Sequence, residues 1–406
     1  MAGTIEKRGG NSFRLIVYAG YDVQGKQIRH KKTIRVEAKS EKAMFRQAQK
    51  ELSIFQAEVE KGQYFGGGKM TFQEFVDRWL LDYAEVDGNL APKTLFRYKE
   101  ILNSRVIPAL GHMKIAQIRP MYLNKFYKSL QQEGVRKDGK KGGLSNKTIL
   151  QHHAIISSIL NDAVQWEVIS SNPAAKVAAP KVKKAEVAYY DEEETAALLA
   201  ALEKEPTEAL KYKVAVVLAL TTGCRRGELL GLEWSDINFE DSTINIQKAA
   251  QYLTGIGHIT KDPKNESSKR VIFIPASTTI LLKKYKAYQT QERLKTGDLW
   301  QYSDRLFVTW NGQPMYPGTI SQWFKKLLKR HGLKEITFHG LRHTAATLLI
   351  GKGVGDRIVS SLLGHADPGT TKSLYAKSLK SAEKAAANLM ESIITGNLGE
   401  IGAARE

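Results

Sequence analysis

The segment ALTTGCRRGELLGLEWSDI, residues 219–237, joins an apolar helix to a group of charged residues through a single glycine. The apolar run VAVVLAL (214–220) predicts a buried helix that ends at Gly223, because glycine commonly ends helices in a left-handed conformation. Arg225 follows this break, and Glu228 lies three residues later, where its carboxylate can orient the guanidinium. The segment therefore predicts a buried helix with a fixed arginine just beyond its end.

The chain of 406 residues carries a formal net charge of +19 at pH 7. Such an excess of Lys and Arg indicates a polyanionic partner, with nucleic acid as the first candidate; a chain that lysine merely keeps in solution is the alternative. Cys224 is the only cysteine, which excludes an intrachain disulfide and a cysteine-cluster zinc site and suits a reducing cytoplasm. Because the N-terminus MAGTIEKRGG lacks an apolar signal core and no apolar run approaches membrane-spanning length, we expect a soluble intracellular protein.

Residues 1–66 are predicted to form a small basic domain. Strand-like segments at 12–20 and 27–36 flank a turn, and Ser40 is expected to cap a helix with apolar residues at helical spacing. Alternation along the second strand places Arg29, Lys31, Thr33 and Arg35 on one face, and Ile28, Ile34 and Val36 on the other. Such a basic face could lie in a DNA groove; a face that is only solvated is the alternative.

Residues 70–174 are predicted to be a helical domain. The predicted helix boundaries are a capping box at Thr71 and Glu74, a start at Pro92, an end at Pro108 and a second start at Pro120. The last helix is expected over residues 148–168, with Trp166 on its buried face. This region alone says little about function.

Lysines concentrate in two connecting segments, the loop 136–147 and the linker 175–188. An extended, proline-containing chain keeps its lysines available to a phosphate backbone, although a solvated surface is the alternative. The DNA-contact candidates are Lys137, Lys140 and Lys141 in the loop, and Lys181 and Lys183 in the linker. Residues 189–378 follow as a mainly helical domain with a small sheet, and residues 379–406 as a tail helix, so the expected fold class is multidomain α+β.

Four segments of the last domain hold the polar side chains that catalysis would need. They are the opening segment with Arg225; KDPKNESSKRVIFIP (261–275) with Lys264; TFHGLRHTAATLLI (337–350) with His339 and Arg342 at a helix start; and LLGHADPGTTKSLYAK (362–377) with His365 and Tyr375. Tyr375 follows residues typical of turns and surfaces rather than an apolar run. Taken alone, that segment is better explained by an idle exposed tyrosine.

These six side chains make a coherent set for phosphoryl transfer with no metal and no other cofactor. The arginine fork bonds two phosphate oxygens at once, so a pair of arginines can neutralise a pentacoordinate phosphorane. Tyrosine attacks only after it loses its proton, because its ordinary pKa is about 10, and a nearby histidine is the natural base. A lysine could protonate the departing 5′ oxygen. A phosphotyrosine ester would conserve the energy of the broken bond, so rejoining would need no ATP.

The four segments resemble the tyrosine recombinase (bacteriophage lambda integrase-like) family. Its pattern is T-G-x-R-x-x-E-L, a hairpin lysine, H-x-L-R-H, L-G-H and a nucleophilic tyrosine, and residues 222–229, 339–343 and 363–365 match the three boxes. The resemblance implies roles for six residues: Arg225, not Arg226, and Arg342 as phosphorane stabilisers, Lys264 as general acid, His339 as a proton-transfer or phosphate-binding group, His365 as a phosphate ligand and Tyr375 as nucleophile. Lys264 precedes Asn265 where the family often has threonine, and Lys261 remains a weaker candidate for the acid.

The resemblance extends to the N-terminal regions. It implies that residues 1–66 are an arm-type DNA-binding domain, a three-stranded sheet with a helix, and that residues 70–174 are a core-binding domain. It further implies an integrase of a phage or conjugative transposon, acting in the bacterial cytoplasm on double-stranded attachment sites. Four copies would exchange strands through a 3′-phosphotyrosine and a Holliday junction, with an excision factor. The tail 379–406 could fold onto its own domain, but the resemblance favours its exchange between protomers. A type IB topoisomerase and an inactive DNA-binding regulator of the same fold are the alternatives.

Overall fold

The computed structural model describes residues 2–21, 25–38, 40–60, 70–86, 88–182, 187–261, 269–364 and 390–391. The chain divides into two compact units, Met1–Lys184 and Ala185–Glu406. Four of the predicted site residues lie outside the described residues: Lys183, Lys264, His365 and Tyr375. The predicted tail helix lies outside them too, except for residues 390–391. No helix in the described ranges is long and apolar enough to cross a membrane.

The first unit begins with a three-stranded antiparallel sheet in the order β1-β2-β3. Its elements are β1 (Gly3–Lys7), β2 (Ser12–Tyr21), β3 (Gln27–Arg35) and the helix α1 (Glu41–Glu60). Leu15 and Val17 of the sheet pack with Leu52 and Phe55 of α1, which confirms the predicted sheet-on-helix arrangement. The residues themselves predicted only β2 and β3; β1 was implied by the family resemblance. Ile28, expected on the apolar face, is 37% exposed and lies beside a register shift at the start of β3.

The rest of the first unit is helical, as predicted. It contains α2 (Phe72–Trp79), α3 (Pro92–Ile101), α4 (Ile107–Leu110), α5 (Pro120–Leu130) and α6 (Asn146–Gln165). The capping box is present: the Glu74 amide donates to Thr71 Oγ1 at 3.2 Å, and the Thr71 amide donates to Glu74 Oε2 at 2.8 Å. A single apolar cluster joins these helices.

Two predictions in this helical part are wrong. Pro108 does not end a helix: a π-helical turn, Leu102–Val106, continues α3 into α4. Pro108 lies in α4 directly after this π-helical turn, so the helical run continues past the proline. The last helix ends at Gln165 rather than at residue 168, so Trp166 lies at its C-cap and is 38% exposed instead of buried.

The second unit packs helices around two small sheets. Its helices are α7 (Glu192–Glu203), α8 (Leu210–Thr222), α9 (Arg226–Gly231), α10 (Ala276–Thr296), α11 (Pro317–Arg330), α12 (Gly340–Gly351) and α13 (Asp356–Leu363). Its strands are β4 (Ile237–Asn238), β5 (Thr243–Ile246), β6 (Ala249–Leu253), β7 (Gly257–Lys261) and β8 (Arg270–Phe273). One sheet has the order β4-β5-β8, and β6 and β7 form a separate hairpin. The apolar helix α8 belongs to the core, as predicted, and contacts both α10 and α12.

Candidate active site

The turn between α8 and α9 positions the first residues of the candidate site. Gly223 ends α8 with φ of +62°, in the left-handed region that was predicted for it. A side chain here is also excluded by space, because a Cβ atom on Gly223 would lie 2.4 Å from Leu363 Cδ2. The end of α13 is therefore pressed against the turn that leads to Arg225.

Arg225 is held at the start of α9 by Glu228. Its amide donates to Glu228 Oε2 at 3.0 Å, and its Nη1 donates to Glu228 Oε1 at 2.7 Å. Nη2 donates to the carbonyl oxygen of Gly364 at 3.3 Å. The Arg225 side chain is 41% exposed, whereas that of Glu228 is 5% exposed. A buried carboxylate therefore orients an arginine that faces solvent, as the three-residue spacing predicted.

The Glu228 carboxylate stays charged although it is buried. Burial by itself would raise its pKa, but the charge of Arg270 and the hydrogen bonds from Arg225 together outweigh burial and hold the pKa below its ordinary value. Arg270 Nη2 donates to Glu228 Oε2 at 3.0 Å. The carboxylate therefore bridges two arginines, one of them buried and one facing solvent.

Arg342, in the first turn of α12, has a spare donor. The residue is 4% exposed; its Nη1 donates to the carbonyl oxygen of Gly223 at 2.8 Å, and its buried Nη2 has no hydrogen-bond partner among the described residues. Burial, followed by the charge of Arg225, lowers the pKa of Arg342 to about 10. The guanidinium is still charged at neutral pH, and an anion bound beside Nη2 would supply both the missing acceptor and the missing counter-charge.

His339 is the N-cap residue of α12 and lies near Arg342 and Arg225. Burial of its ring, and then the charges of Arg342 and Arg225, lower its pKa, so the imidazole is neutral at pH 7 and can accept a proton. Its ring meets that of His343 edge-on, with centroids 5.1 Å apart. Burial lowers the pKa of His343 to about 4. In the described part of the chain, no group of three or more His, Cys, Asp or Glu could hold a metal ion.

The predicted DNA-contact side chains that are described all lie at the surface. Arg29, Lys31 and Arg35 are exposed on one face of β3, with Thr33 between them. Arg29 lies over the ring of Tyr18, 5.7 Å from its centroid. Lys137, Lys140, Lys141 and Lys181 are exposed as well. Lys261, the weaker candidate for the general acid, is half-buried at the end of β7, and Lys264 falls in the undescribed stretch 262–268.

Sequence reasoning missed Arg270, which bonds the same carboxylate as Arg225. A signal for it was available: in β8, Arg270 and Ile272 alternate with Val271 and Phe273, so an arginine shares the face of a core isoleucine. The structure agrees, because Ile272 is 2% exposed and Phe273 is 78% exposed. A charged residue on an inward-facing strand position indicates a buried ion pair.

Comparison with known families identifies the class of protein. The profile of the phage integrase family matches residues 188–382, and that of the phage integrase N-terminal SAM-like domain matches residues 71–131. The two matches together cover more than half of the chain. The chain therefore belongs to the phage integrase family.

Curated relatives carry the corresponding names. The chain is 28% identical over 396 residues to a tyrosine recombinase XerC-like protein of Caldanaerobacter subterraneus, covering 91% of this chain and 93% of the relative. It is 25% identical over 310 residues to the ICEBs1 integrase of Bacillus subtilis, covering 76% and 80%. The protein is a tyrosine recombinase of the integrase type, an enzyme that acts on double-stranded DNA.

Solved structures share the fold. The integrase of transposon Tn1549, in complex with transposon right end DNA, matches with a TM-score of 0.62 at 20% identity, covering 79% of this chain and 100% of that one. A lambda integrase tetramer bound to a Holliday junction matches with a TM-score of 0.54 at 18% identity, covering 91% and 94%. The predicted α+β architecture is thus confirmed as that of lambda-type integrases.

Proposed function

We propose that this recombinase cuts DNA by binding the scissile phosphate between Arg225 and Arg342. The observation that carries the proposal is the buried guanidinium of Arg342, whose Nη2 lacks a partner among the described residues and whose pKa is lowered. A polypeptide rarely leaves a buried donor and a buried charge uncompensated unless a ligand completes them. A phosphodiester that forms a pentacoordinate phosphorane during cleavage carries the negative charge and the oxygen acceptors that the site lacks.

The remaining roles are those that the resemblance to tyrosine recombinases implies, and we propose them for this chain. Tyr375 Oη forms a bond to phosphorus while the bond from phosphorus to the 5′ oxygen breaks. The tyrosine proton passes to a base, for which the neutral imidazole of His339 is suited, and Lys264 donates a proton to the departing 5′ oxygen. His365 orients the phosphate. Reversal of the same steps with a new 5′-hydroxyl rejoins the strand without ATP, which is the chemistry of conservative exchange.

The biological reaction is proposed to be integration and excision of a mobile genetic element. The names of the relatives support this, since they include an ICEBs1 integrase and transposases of Tn916 and Tn1545. We infer a homotetramer that exchanges strands through a Holliday junction, an excision factor that sets direction, and action on DNA in the bacterial cytoplasm. The direct experiment is recombination between two defined attachment sites on a plasmid. Exchange supports an integrase, whereas relaxation without exchange would favour a topoisomerase.

The general acid can be tested by changing the leaving group. Replacing Lys264 with alanine is expected to slow cleavage of ordinary DNA by about 10²- to 10⁴-fold, because the 5′ alkoxide then leaves unprotonated. A substrate with sulfur in place of the bridging 5′ oxygen should restore the rate, since a thiolate is a good leaving group without a proton. Lys261→Ala is the matched control, expected to cleave both substrates normally. If Lys261→Ala shows the loss and the rescue instead, the acid is Lys261.

The basic face of β3 can be tested by the salt dependence of binding. Replacing Arg29, Lys31 and Arg35 with glutamine should reduce the slope of log K against log salt by about 2.7, as three lost phosphate contacts predict. The probe is duplex DNA from the ends of the element. The control is Lys32→Gln on the opposite face, where Lys32 bonds Glu58 at 3.4 Å. An unchanged slope in the triple variant would mean that the face is only solvated.

A further inference from the structure

Arg270 connects two parts of the site that are far apart in the chain. It is the first residue of β8, and its side chain is 8% exposed. Its Nη2 donates to Glu228 Oε2 at 3.0 Å, while its Nε donates to the carbonyl oxygen of Leu362 at 2.7 Å. Leu362 belongs to the last turn of α13 and comes three residues before His365. One buried guanidinium therefore bonds the carboxylate that holds Arg225 and the helix end that leads to His365 and Tyr375.

Packing reinforces this connection at each of the next two residues. Leu363 presses on Gly223, as described above, and the carbonyl oxygen of Gly364 accepts from Arg225 Nη2. Gly364 has φ of +64°, and a Cβ atom on it would lie 2.8 Å from Arg270 Nη1. Residues 362–364 thus fit closely against Arg270 and the turn before Arg225.

We propose that Arg270 is a positioning residue that fixes Arg225 and the end of α13 relative to each other. The phosphate-binding arginine and the chain segment that leads to the nucleophile Tyr375 are thereby aligned before DNA is cut. The inference rests on the proposed roles of Arg225 and Tyr375. Alignment matters because a displacement of about 1 Å between reacting groups can cost about 10²-fold in rate.

Charge compensation alone does not explain the arrangement. Any buried cation would keep Glu228 ionised. Only the planar guanidinium of an arginine can bond a carboxylate through one nitrogen and a backbone carbonyl through another. Arg225 faces solvent, and it is the arginine of this pair that would engage a phosphate. Arg270 is buried and bonds both Glu228 and Leu362 itself, so it can hold both elements in place while Arg225 engages the phosphate.

The test compares four proteins: wild type, Arg270→Gln, Arg270→Lys and the control Arg330→Gln. Arg330 pairs with the buried Glu205 at 2.6 Å in the same unit, so the control removes an arginine from another buried carboxylate outside the proposed machinery. Each protein is bound at saturation to a nicked core-site DNA that traps the covalent complex. The readouts are DNA affinity, the single-turnover rate of covalent attachment, and labelling of Cys224 with a thiol reagent.

Cys224 reports local integrity because it is the only cysteine, is 3% exposed and lies with its Sγ 3.8 Å from Arg270 Nη2. We expect Arg270→Gln to bind DNA with unchanged affinity and protected Cys224 but to react about 10²-fold more slowly. Arg270→Lys should recover part of the rate, since an ammonium reaches only one of the two partners, and Arg330→Gln should match wild type.

Two results would overturn the inference: a wild-type rate in Arg270→Gln, or full recovery in Arg270→Lys, which would reduce the role to charge compensation. If Arg270→Gln does not fold, as unprotected Cys224 would reveal, the decision passes to Arg270→Lys, which retains the ion pair; a slower rate at unchanged affinity supports positioning. Failure of the proposed function is distinct, because wild type itself would then form no covalent complex.

Discussion

A chain in which Tyr375 is replaced by phenylalanine is expected to bind its DNA site with unchanged affinity and to form no covalent complex. The substitution removes one oxygen atom, the atom that is proposed to bond to phosphorus. The ring and its surroundings are kept, so folding and DNA binding have no reason to change. Because the covalent step has no alternative nucleophile in this account, the loss is complete rather than partial.

The control for this substitution is a tyrosine whose hydroxyl has no proposed role in covalent attachment. Tyr302 lies in the same unit and is 74% exposed, so Tyr302→Phe removes a hydroxyl of the same kind outside the proposed machinery. Denaturing gels of protein mixed with end-labelled, nicked core-site DNA measure the attachment. Retained attachment in Tyr375→Phe, or equal loss in both variants, would refute the assignment.

The second large effect is expected for Arg342. Replacing it with methionine, which retains much of the side-chain volume, should slow cleavage by about 10³-fold because a positive donor to the phosphorane is lost. Folding stability should not fall with activity. The lowered pKa of Arg342 means that its protonated form is disfavoured in the folded state, so at neutral pH the charge costs stability that an apolar side chain does not.

We therefore expect the melting temperature of Arg342→Met to be at least that of wild type, measured without DNA. The contrast with Glu228→Gln is informative, since that change leaves the buried Arg270 without its carboxylate and should lower the melting temperature. A large loss of stability in Arg342→Met would show that Arg342 is a structural residue. In that case Nη2, which has no partner among the described residues, could not be interpreted as a phosphate site.

Local sequence signals predicted much of the scaffold. The capping box at Thr71, the glycine that ends α8, and the alternation of β3 apart from Ile28 each depend on neighbouring residues alone, and all are present in the structure. The failure at Pro108 has a physical cause. A proline that normally stops a helix is accommodated by a π-helical turn, and no pattern in the adjacent sequence predicts that turn.

The sequence predicts the candidate site as a set of residues but not as a network of contacts. The box around Arg225 and Glu228 encodes a local contact three residues apart, which sequence spacing can predict. The bonds from Arg270 to Glu228 and to Leu362 join positions 42 and 92 residues apart, and only the folded chain brings them together. Arg342 Nη2 likewise has no hydrogen-bond acceptor near it among the described residues, and the sequence carries no direct signal for such an absence.

The measurement that tests the central claim most directly is identification of the DNA-linked peptide. Wild-type protein is reacted with nicked core-site DNA in EDTA, digested with trypsin, and the peptide that remains on the DNA is sequenced by mass spectrometry. We predict the peptide SLYAK, residues 373–377, attached through Tyr375 to a 3′ phosphate, with a free 5′-hydroxyl on the other side of the break. Attachment through another residue or to a 5′ end, or no attachment by a protein that binds the DNA, would contradict the account.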